Sequence, residues 1–408
     1  MKTNSFKLVL ILLLIVSVGN GCAGSRKKEK IPSTLAVSHN NQGVRYLAEE
    51  NLDKAEWEFK TAAEMQPTYA EAWNNLGLVY KYRGNYKDAL INLEKATQAS
   101  PKWAAPYNHI GATYLAMGEV GKAIQYIQRA IEKDKKFADA YYNLGLCYRA
   151  LIGLDKSPEK SRDNAIKAFK KATDLDPLLY HGHSDLGDLY REKGDWEKAV
   201  IRYRLAIETN PESPEGWFKL GALYQEMGDP QRAQEAFAKA YQKGGASGGV
   251  GLGAEARLQY GEALIGAGEY DKALLFFEKI TNEEPKNERA FFNLGYTYFQ
   301  MKRYSEAARE YGKAIELNPD FIEAYFNLGM TYKMLEDTGG AIQAFEKALV
   351  IDPKSPPTLY NLGMIHQESG NGSEANHFLC QFIELKLKAY EAEVEIARKT
   401  VKGNGGCQ

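Results

Sequence analysis

WNNLGLVYKYRGNYKDALINLEKATQASP, Trp73–Pro101, returns far downstream as YFNLGMTYKMLEDTGGAIQAFEKALVIDP, Tyr325–Pro353. In both, Leu-Gly is followed by an aromatic three residues on, Ala twelve residues after the Gly, and a closing Pro. The glycine recurs at Gly43, Gly77, Gly111, Gly145, Gly187, Gly221, Gly261, Gly295, Gly329 and Gly363. The matching alanines are Ala55, Ala89, Ala123, Ala165, Ala199, Ala233, Ala273, Ala307, Ala341 and Ala375, and only the Gly145–Ala165 spacing is stretched, by eight residues. Tyr follows three after the Gly in eight of ten copies, and seven of the 14 prolines close a copy. A fixed period of this length is the mark of a repeat architecture.

The spacing within one copy predicts a pair of helices. Trp73, Leu76 and Tyr80 lie three and four apart and make one apolar stripe; Tyr86, Ala89, Leu93 and Ala96 make a second. Arg83-Gly84-Asn85 between them is a helix stop and turn. Gly77 and Ala89 are small where the two helices meet, and Pro101 ends the second helix. One such hairpin cannot bury both stripes, so successive hairpins stack into an all-α solenoid.

This pattern resembles the tetratricopeptide repeat family, over Ala36 to about Ala389. The resemblance implies a right-handed superhelix of about ten antiparallel hairpins, with the first helix of each lining a concave groove that takes a peptide or a partner's helix. The expected organisation is six repeats over 36–247, a Gly-rich linker at 248–253, four repeats over 254–389, and a capping-helix end with a disordered tail over 390–408. Leu387, Tyr390, Val394, Ala397 and Val401 supply the apolar face of that cap. The Gly-rich run Gly244–Gly253 is not followed by Lys-Ser/Thr and no strand pattern precedes it, so it reads as a linker and not a phosphate loop. The eight extra residues before Ala165 read as a longer inter-helix turn, with room for extra helical turns.

Outside the repeats, Met1–Gly21 carries Lys2 and Lys7, an apolar run from Leu8 to Val18, and small residues up to Cys22. That is a secretory signal layout, and the run is well short of the ~20 residues of a spanning helix. Gly21-Cys22 resembles a bacterial lipoprotein signal, which implies lipid on Cys22. Ala23 then implies sorting to an outer membrane facing the periplasm. Gly19 and Gly21 also suit ordinary secretory cleavage. Residues 22–35 read as a flexible tether. Of the other cysteines, Cys147 and Cys380 fall in predicted helices six repeats apart, Cys407 lies in the tail, and free thiols are the expected state.

Groove residues follow from the family register. Two before the glycine stand Asn41, Asn75, Asn143, Asn293, Asn327 and Asn361, with His109, Asp185, Lys219 and Gln259 in the other repeats. Similar asparagines line the repeat superhelix of the O-linked N-acetylglucosamine transferase, which implies backbone recognition of a peptide, since an amide both donates and accepts. The other reading is that these amides bond locally. In the last repeats Phe292, Tyr296, Phe326, Met330, Tyr360 and Met364 add an aromatic and methionine stripe, whereas the first three repeats offer Asn40, Asn74 and Asn108. With Phe291, Leu294 and Tyr298 taken as core, that stripe is surplus and reads as a seat for an apolar peptide or helix. The basic clamp by which some family members hold an acidic C-terminus is incomplete here.

Composition sets the outer bounds. The 408 residues carry 52 basic and 53 acidic side chains, 44% hydrophobic residues and a mean hydropathy of −0.47. That excludes a polytopic membrane protein and a disordered chain, and it offers no basic surplus for nucleic acid. Six scattered histidines form no metal-ligand spacing, His183 occupies an aromatic packing position, and no nucleophile or acid–base pair stands out. The reading is a non-enzymatic scaffold of a bacterial envelope, without cofactor or metal, similar to lipoproteins that assist outer-membrane assemblies such as the type IV pilus pilotins. The alternative is a substrate-presenting or regulatory subunit of a separate envelope enzyme such as a glycosyltransferase.

Overall fold

A computed structural model of the chain describes residues 32–154, 157–244 and 252–407, and among these every regular element is a helix. The expected signal segment Met1–Gly21, Cys22 and all but the end of the expected tether lie outside the described residues. The tether stops short of residue 35, because the first helix begins at Thr34, where the Ser33 hydroxyl accepts from the Ala36 N–H.

The hairpins form as the period predicts. In the second repeat a leading helix, Ala70–Tyr82, is followed by a trailing helix, Tyr86–Ala99. The turn needs a left-handed residue seven after the signature glycine. Gly84, Gly118 and Gly194 supply it at φ of 76°, 78° and 74°, while Lys302 and Glu336 hold the same place at 61° and 59°. A capping side chain then starts the trailing helix: Asn85 accepts from the Asp88 N–H, and Asp337 from the Gly340 N–H.

The signature glycine is a socket. A Cβ on Gly77 would stand 2.6 Å from Leu93 Cγ, and rings press on it in the same way elsewhere, Phe59 on Gly43, Phe169 on Gly145, Phe277 on Gly261 and Phe345 on Gly329. These knobs are fully buried, as are the alanines twelve after the glycine. A second lock ties each leading helix to the loop before it. Trp73 Nε1 donates to the Pro67 carbonyl at 3.0 Å and the Tyr107 hydroxyl to that of Pro101 at 3.2 Å. His183 Nε2 lies 3.0 Å from the Pro177 carbonyl. His183 is therefore a core residue, as its place in the period predicts, and burial lowers its basicity against the opposing pull of the Pro177 carbonyl.

The chain divides into two compact bodies, Met1–Leu223 and Tyr224–Gln408. The division falls inside the helix Pro214–Glu226 and not at the Gly-rich run. Of the expected linker, 248–251 lies outside the described residues, and the helix Leu252–Gly266 already begins within it. In the N-terminal body the eight-residue insertion is absorbed as predicted: the leading helix of repeat 4 ends at Leu151, and the trailing helix Pro158–Leu175 is lengthened to 18 residues with Pro158 in its first turn.

In the C-terminal body the hairpins continue with Tyr270–Glu283, Glu288–Gln300, Tyr304–Leu317, Ile322–Met334, Thr338–Ile351, Pro356–Glu368 and Gly372–Glu384. The helix Glu391–Gly403 then covers the last hairpin, with Ala397 and Val401 buried and Val394 packed beside Leu379 and Phe382. Leu387 does not join that face; it precedes the helix and is exposed. Two expectations fail here. The tail is not loose: Asn376 Nδ2 donates to the Asn404 and Gly406 carbonyls at 3.3 and 2.9 Å. Nor are Cys380 and Cys407 free thiols, since they form a disulfide. Helix packing brings the tail back over Cys380, a contact that sequence spacing does not disclose. Cys147 is buried and free as expected, and burial pushes its thiol up to about 12.

Candidate functional site: the leading-helix face

Leading helices of neighbouring repeats touch one another within each body. Side chains two and three before the glycine therefore meet across the repeat boundary. In the N-terminal body they form a continuous polar zipper. Asn75 Nδ2 donates to Asn40 Oδ1 at 3.0 Å, His109 Nδ1 lies 2.7 Å from Asn74 Oδ1, and Asn143 Nδ2 donates to Asn108 Oδ1 at 2.9 Å. The next rungs are the Tyr142 hydroxyl donating to Asp185 Oδ2 at 3.0 Å and Lys219 Nζ donating to Ser184 Oγ at 2.8 Å. Each rung joins the residue three before one glycine to the residue two before the next. Asn40, Asn74 and Asn108 are buried by it.

His109 is neutral in this setting. Burial, and secondarily the Lys81 ammonium, hold its pKa down to about 3. Its Nδ1–H then donates to the Asn74 carbonyl oxygen.

The zipper ends in a charged knot. Asp188, one after the glycine of repeat 5, accepts from the Tyr203 hydroxyl and from Lys219 Nζ, each at 2.8 Å. Arg149 reaches both Asp185 and Asp188, and Glu215 lies 3.3 Å from Lys219. Burial raises the Asp185 carboxyl, an effect that Arg149, Tyr142 and Lys219 oppose. Burial would lower the Lys219 ammonium, but Asp188 and Glu215 outweigh it and leave it raised. These are compensated charges whose donors and acceptors are used on one another.

Of the predicted asparagines, Asn75 and Asn143 are spent on the zipper. Asn41 belongs to the first described repeat and is exposed. In the C-terminal body Asn293 is buried and donates to Glu262 Oε1 at 2.9 Å. Asn361 donates to the Pro357 carbonyl at 2.8 Å, and Asn327 is half-buried. The local-bonding reading thus describes Asn75, Asn143, Asn293 and Asn361. Lys219 and Arg289 are likewise engaged, the latter with Glu255 at 2.9 Å.

The aromatic stripe takes the zipper's place in the C-terminal body. Three before the glycine stand Phe292, Phe326 and Tyr360, which among the described residues carry no polar rung, although Asn293 bonds Glu262 of the repeat before. Each packs inward on the trailing helix of its own repeat: Phe292 on Tyr311 at 5.6 Å, Phe326 on Phe345 at 5.6 Å, Tyr360 on Phe382 at 5.4 Å between ring centroids. They are not surplus to the core, as the sequence suggested. They are half-buried residues with one face on the core and one edge outward. One after the glycine, Tyr296 is 36% exposed, while Met330 and Met364 are half-buried. The six side chains fall on one face of three successive leading helices.

Sequence reasoning missed the knot of Arg149, Asp188 and Tyr203. Its signal was Asp188, a carboxylate at a position held elsewhere by apolar residues or Glu262. Among the described residues no group of His, Cys, Asp and Glu is placed to hold a metal ion, and no helix is long and apolar enough to cross a membrane.

Comparison with known proteins agrees with the geometry. Tetratricopeptide repeat models match residues 68–136, 139–178, 224–294 and 322–355, and a TPR repeat model matches 187–228 and 295–336. No curated protein matches the sequence. Among solved structures, MamA is 28% identical, covering 41% of this chain and 94% of its own, with a TM-score of 0.34. YrrB, described as a TPR protein with an unusual peptide-binding site, is 25% identical, covering 48% and 95%, with a TM-score of 0.40. Yeast Tom70 is 13% identical, covering 90% and 95%, with a TM-score of 0.45.

Proposed function

Because the chain belongs to the tetratricopeptide repeat family, whose fold serves protein–protein interaction, we propose that it is a non-enzymatic scaffold holding an apolar peptide or helix of a partner protein. The seat is the leading-helix face of repeats 8 to 10. One observation carries this reading. The position three before the glycine, closed by polar rungs in the N-terminal body, carries Phe292, Phe326 and Tyr360 in the C-terminal body, and Tyr296, Met330 and Met364 lie one helical turn on from them on the same face. Methionine and aromatic side chains on adjacent helices suit an amphipathic helix or an extended apolar segment, because they adapt in shape and lose little on desolvation.

The same proposal places the protein in a bacterial envelope, exported by Met1–Gly21 and anchored through lipid on Cys22 to the outer membrane, facing the periplasm. The Cys380–Cys407 disulfide supports export, since such bonds persist in oxidising compartments. A polar tether would let the repeats reach a partner near the membrane.

The test is crosslinked capture from membranes with the full chain and with a variant carrying Tyr296→Ala, Met330→Ala and Met364→Ala. These three leave the inward ring pairs of Phe292, Phe326 and Tyr360 in place. Capture that survives the triple substitution unchanged refutes the seat. Lipid labelling of wild type against Cys22→Ser tests the anchor, and equal labelling refutes it.

A further inference from the structure

The end of the C-terminal body carries a latch that the repeat period does not explain. The helix Glu391–Gly403 has 13 residues, too few to be stable alone in water. It is entered through Lys386 at a φ of 52°, a conformation that favours glycine, and it rests on the last repeat mainly through Val394, Ala397 and Val401. Apolar contact of that size holds a terminal helix weakly.

Two further attachments lie on one face of the helix Gly372–Glu384, one turn apart. Asn376 binds the Asn404 and Gly406 carbonyls. Cys380 is bonded to Cys407, the next residue along the tail. Asn404 also donates to Gln367 of the leading helix. The Asn376 amide thus fixes the backbone immediately before Cys407 and delivers its sulfur to Cys380.

We propose that Cys380 and Cys407 are an oxidative modification site, templated by Asn376, that converts a weakly docked cap into a permanent seal over the last repeat. The oxidant is a disulfide of the oxidised-glutathione or dithiol-oxidoreductase class. The exposed Cys407 thiolate attacks one sulfur of that disulfide and releases the other as a thiolate. The Cys380 thiolate then attacks Cys407 Sγ in the mixed disulfide and releases the second. Two protein thiols lose two protons and two electrons, and the oxidant disulfide becomes two thiols. The bond closes a 27-residue separation, and it removes the open states of the cap.

The test uses the full chain, reduced and then treated with oxidised glutathione. Alkylation after denaturation is expected to label Cys147 and to leave Cys380 and Cys407 unlabelled, with the peptides holding these two joined; Cys22 is not scored. Amide exchange over 391–404 is expected to be about a hundredfold slower than in a Cys380→Ser/Cys407→Ser variant, with exchange in the first repeat equal in both as the internal reference. Asn376→Ala should slow closure of the bond about tenfold. Alkylated Cys380 and Cys407, equal exchange over the cap in both proteins, or an unchanged closure rate in Asn376→Ala would each overturn the proposal. None of these readouts depends on partner capture or on lipid at Cys22.

Discussion

Repeats 3 and 9 share a hairpin, a signature glycine and a helix register, yet they use the position three before that glycine in opposite ways. In repeat 3, Asn108 and His109 point along the stack and are consumed by amide rungs to Asn143 and Asn74. In repeat 9, Phe326 turns inward onto Phe345, and Met330 lies beside it on the same cluster. A solenoid needs the glycine socket and the alanine contact in every copy, so those positions are fixed. The leading-helix face is free of that demand. It can be spent on inter-repeat bonds, which stiffen the stack, or left apolar, which keeps it available to a ligand. The N-terminal body makes the first choice and the C-terminal body the second.

The largest expected difference lies one residue after the glycine. Asp188→Ala takes the acceptor from the buried Tyr203 hydroxyl and a carboxylate from Lys219 and Arg149, so we expect a loss of about 2–3 kcal/mol in the unfolding free energy. Tyr296→Ala at the same position of repeat 8 removes an exposed ring and should cost about 0.5 kcal/mol or less. Denaturant titration of both variants measures the gap; similar costs would erase the distinction between the bodies.

Next is the rung itself. Asn108→Ala leaves the Asn143 amide short of a partner and should cost about 1–2 kcal/mol. The double variant Asn108→Leu/Asn143→Leu removes donor and acceptor together, with Leu258 holding the place of Asn108 in repeat 7, and should recover most of that loss. Failure of the pair to recover would mean that the zipper is more than a set of satisfied amides.

His109 sharpens the comparison through pH. Its folded pKa lies below the ordinary value of 6.5 because of burial, so the unfolded chain binds a proton that the folded chain refuses. Its contribution is present in full above pH 6.5 and is lost as pH falls from there toward about 3. Asn is the residue at this position in the flanking repeats, and His109→Asn should keep the rung while flattening stability against pH over that window. An unchanged pH profile would remove His109 as the cause.

The smallest effect concerns the turns. Lys302 and Glu336 occupy a left-handed position that Gly84, Gly118 and Gly194 fill in the N-terminal body and Gly228, Gly268 and Gly370 in the C-terminal body, with Glu50 a non-glycine case in the first repeat. Lys302→Gly or Glu336→Gly should raise stability by about 0.5–1 kcal/mol. Thermal melts that fall instead would show that those side chains make contacts worth more than the backbone strain.

The hairpins were legible because their cause is local and periodic: Gly77 with Ala89, the Gly84 turn and the closing Pro101 all lie within one copy. Helix Pro158–Leu175 and the cap face of Val394, Ala397 and Val401 followed from the same period. What could not be read depends on which repeat stands next to which side chain. Asn75 looks alike as a peptide ligand or a rung until Asn40 is placed 3.0 Å away. Phe292 looked surplus because the stripe of Phe291, Leu294 and Tyr298 already satisfied the helical period, and only the position of Tyr311 shows that it also faces inward. The Cys380–Cys407 bond depends on a chain reversal at Leu385–Leu387 that no spacing rule reports.

The central claim is that ligand binding belongs to the leading-helix face of the C-terminal body and not to the zippered face. It is tested most directly by placing a photo-crosslinking amino acid one residue after the glycine, at Met330 in one full-length protein and at Ala112 in another, and irradiating membranes that contain each. The account predicts a discrete partner adduct from position 330 and none from position 112. An adduct from 112 alone, or equal adducts from both, would contradict it.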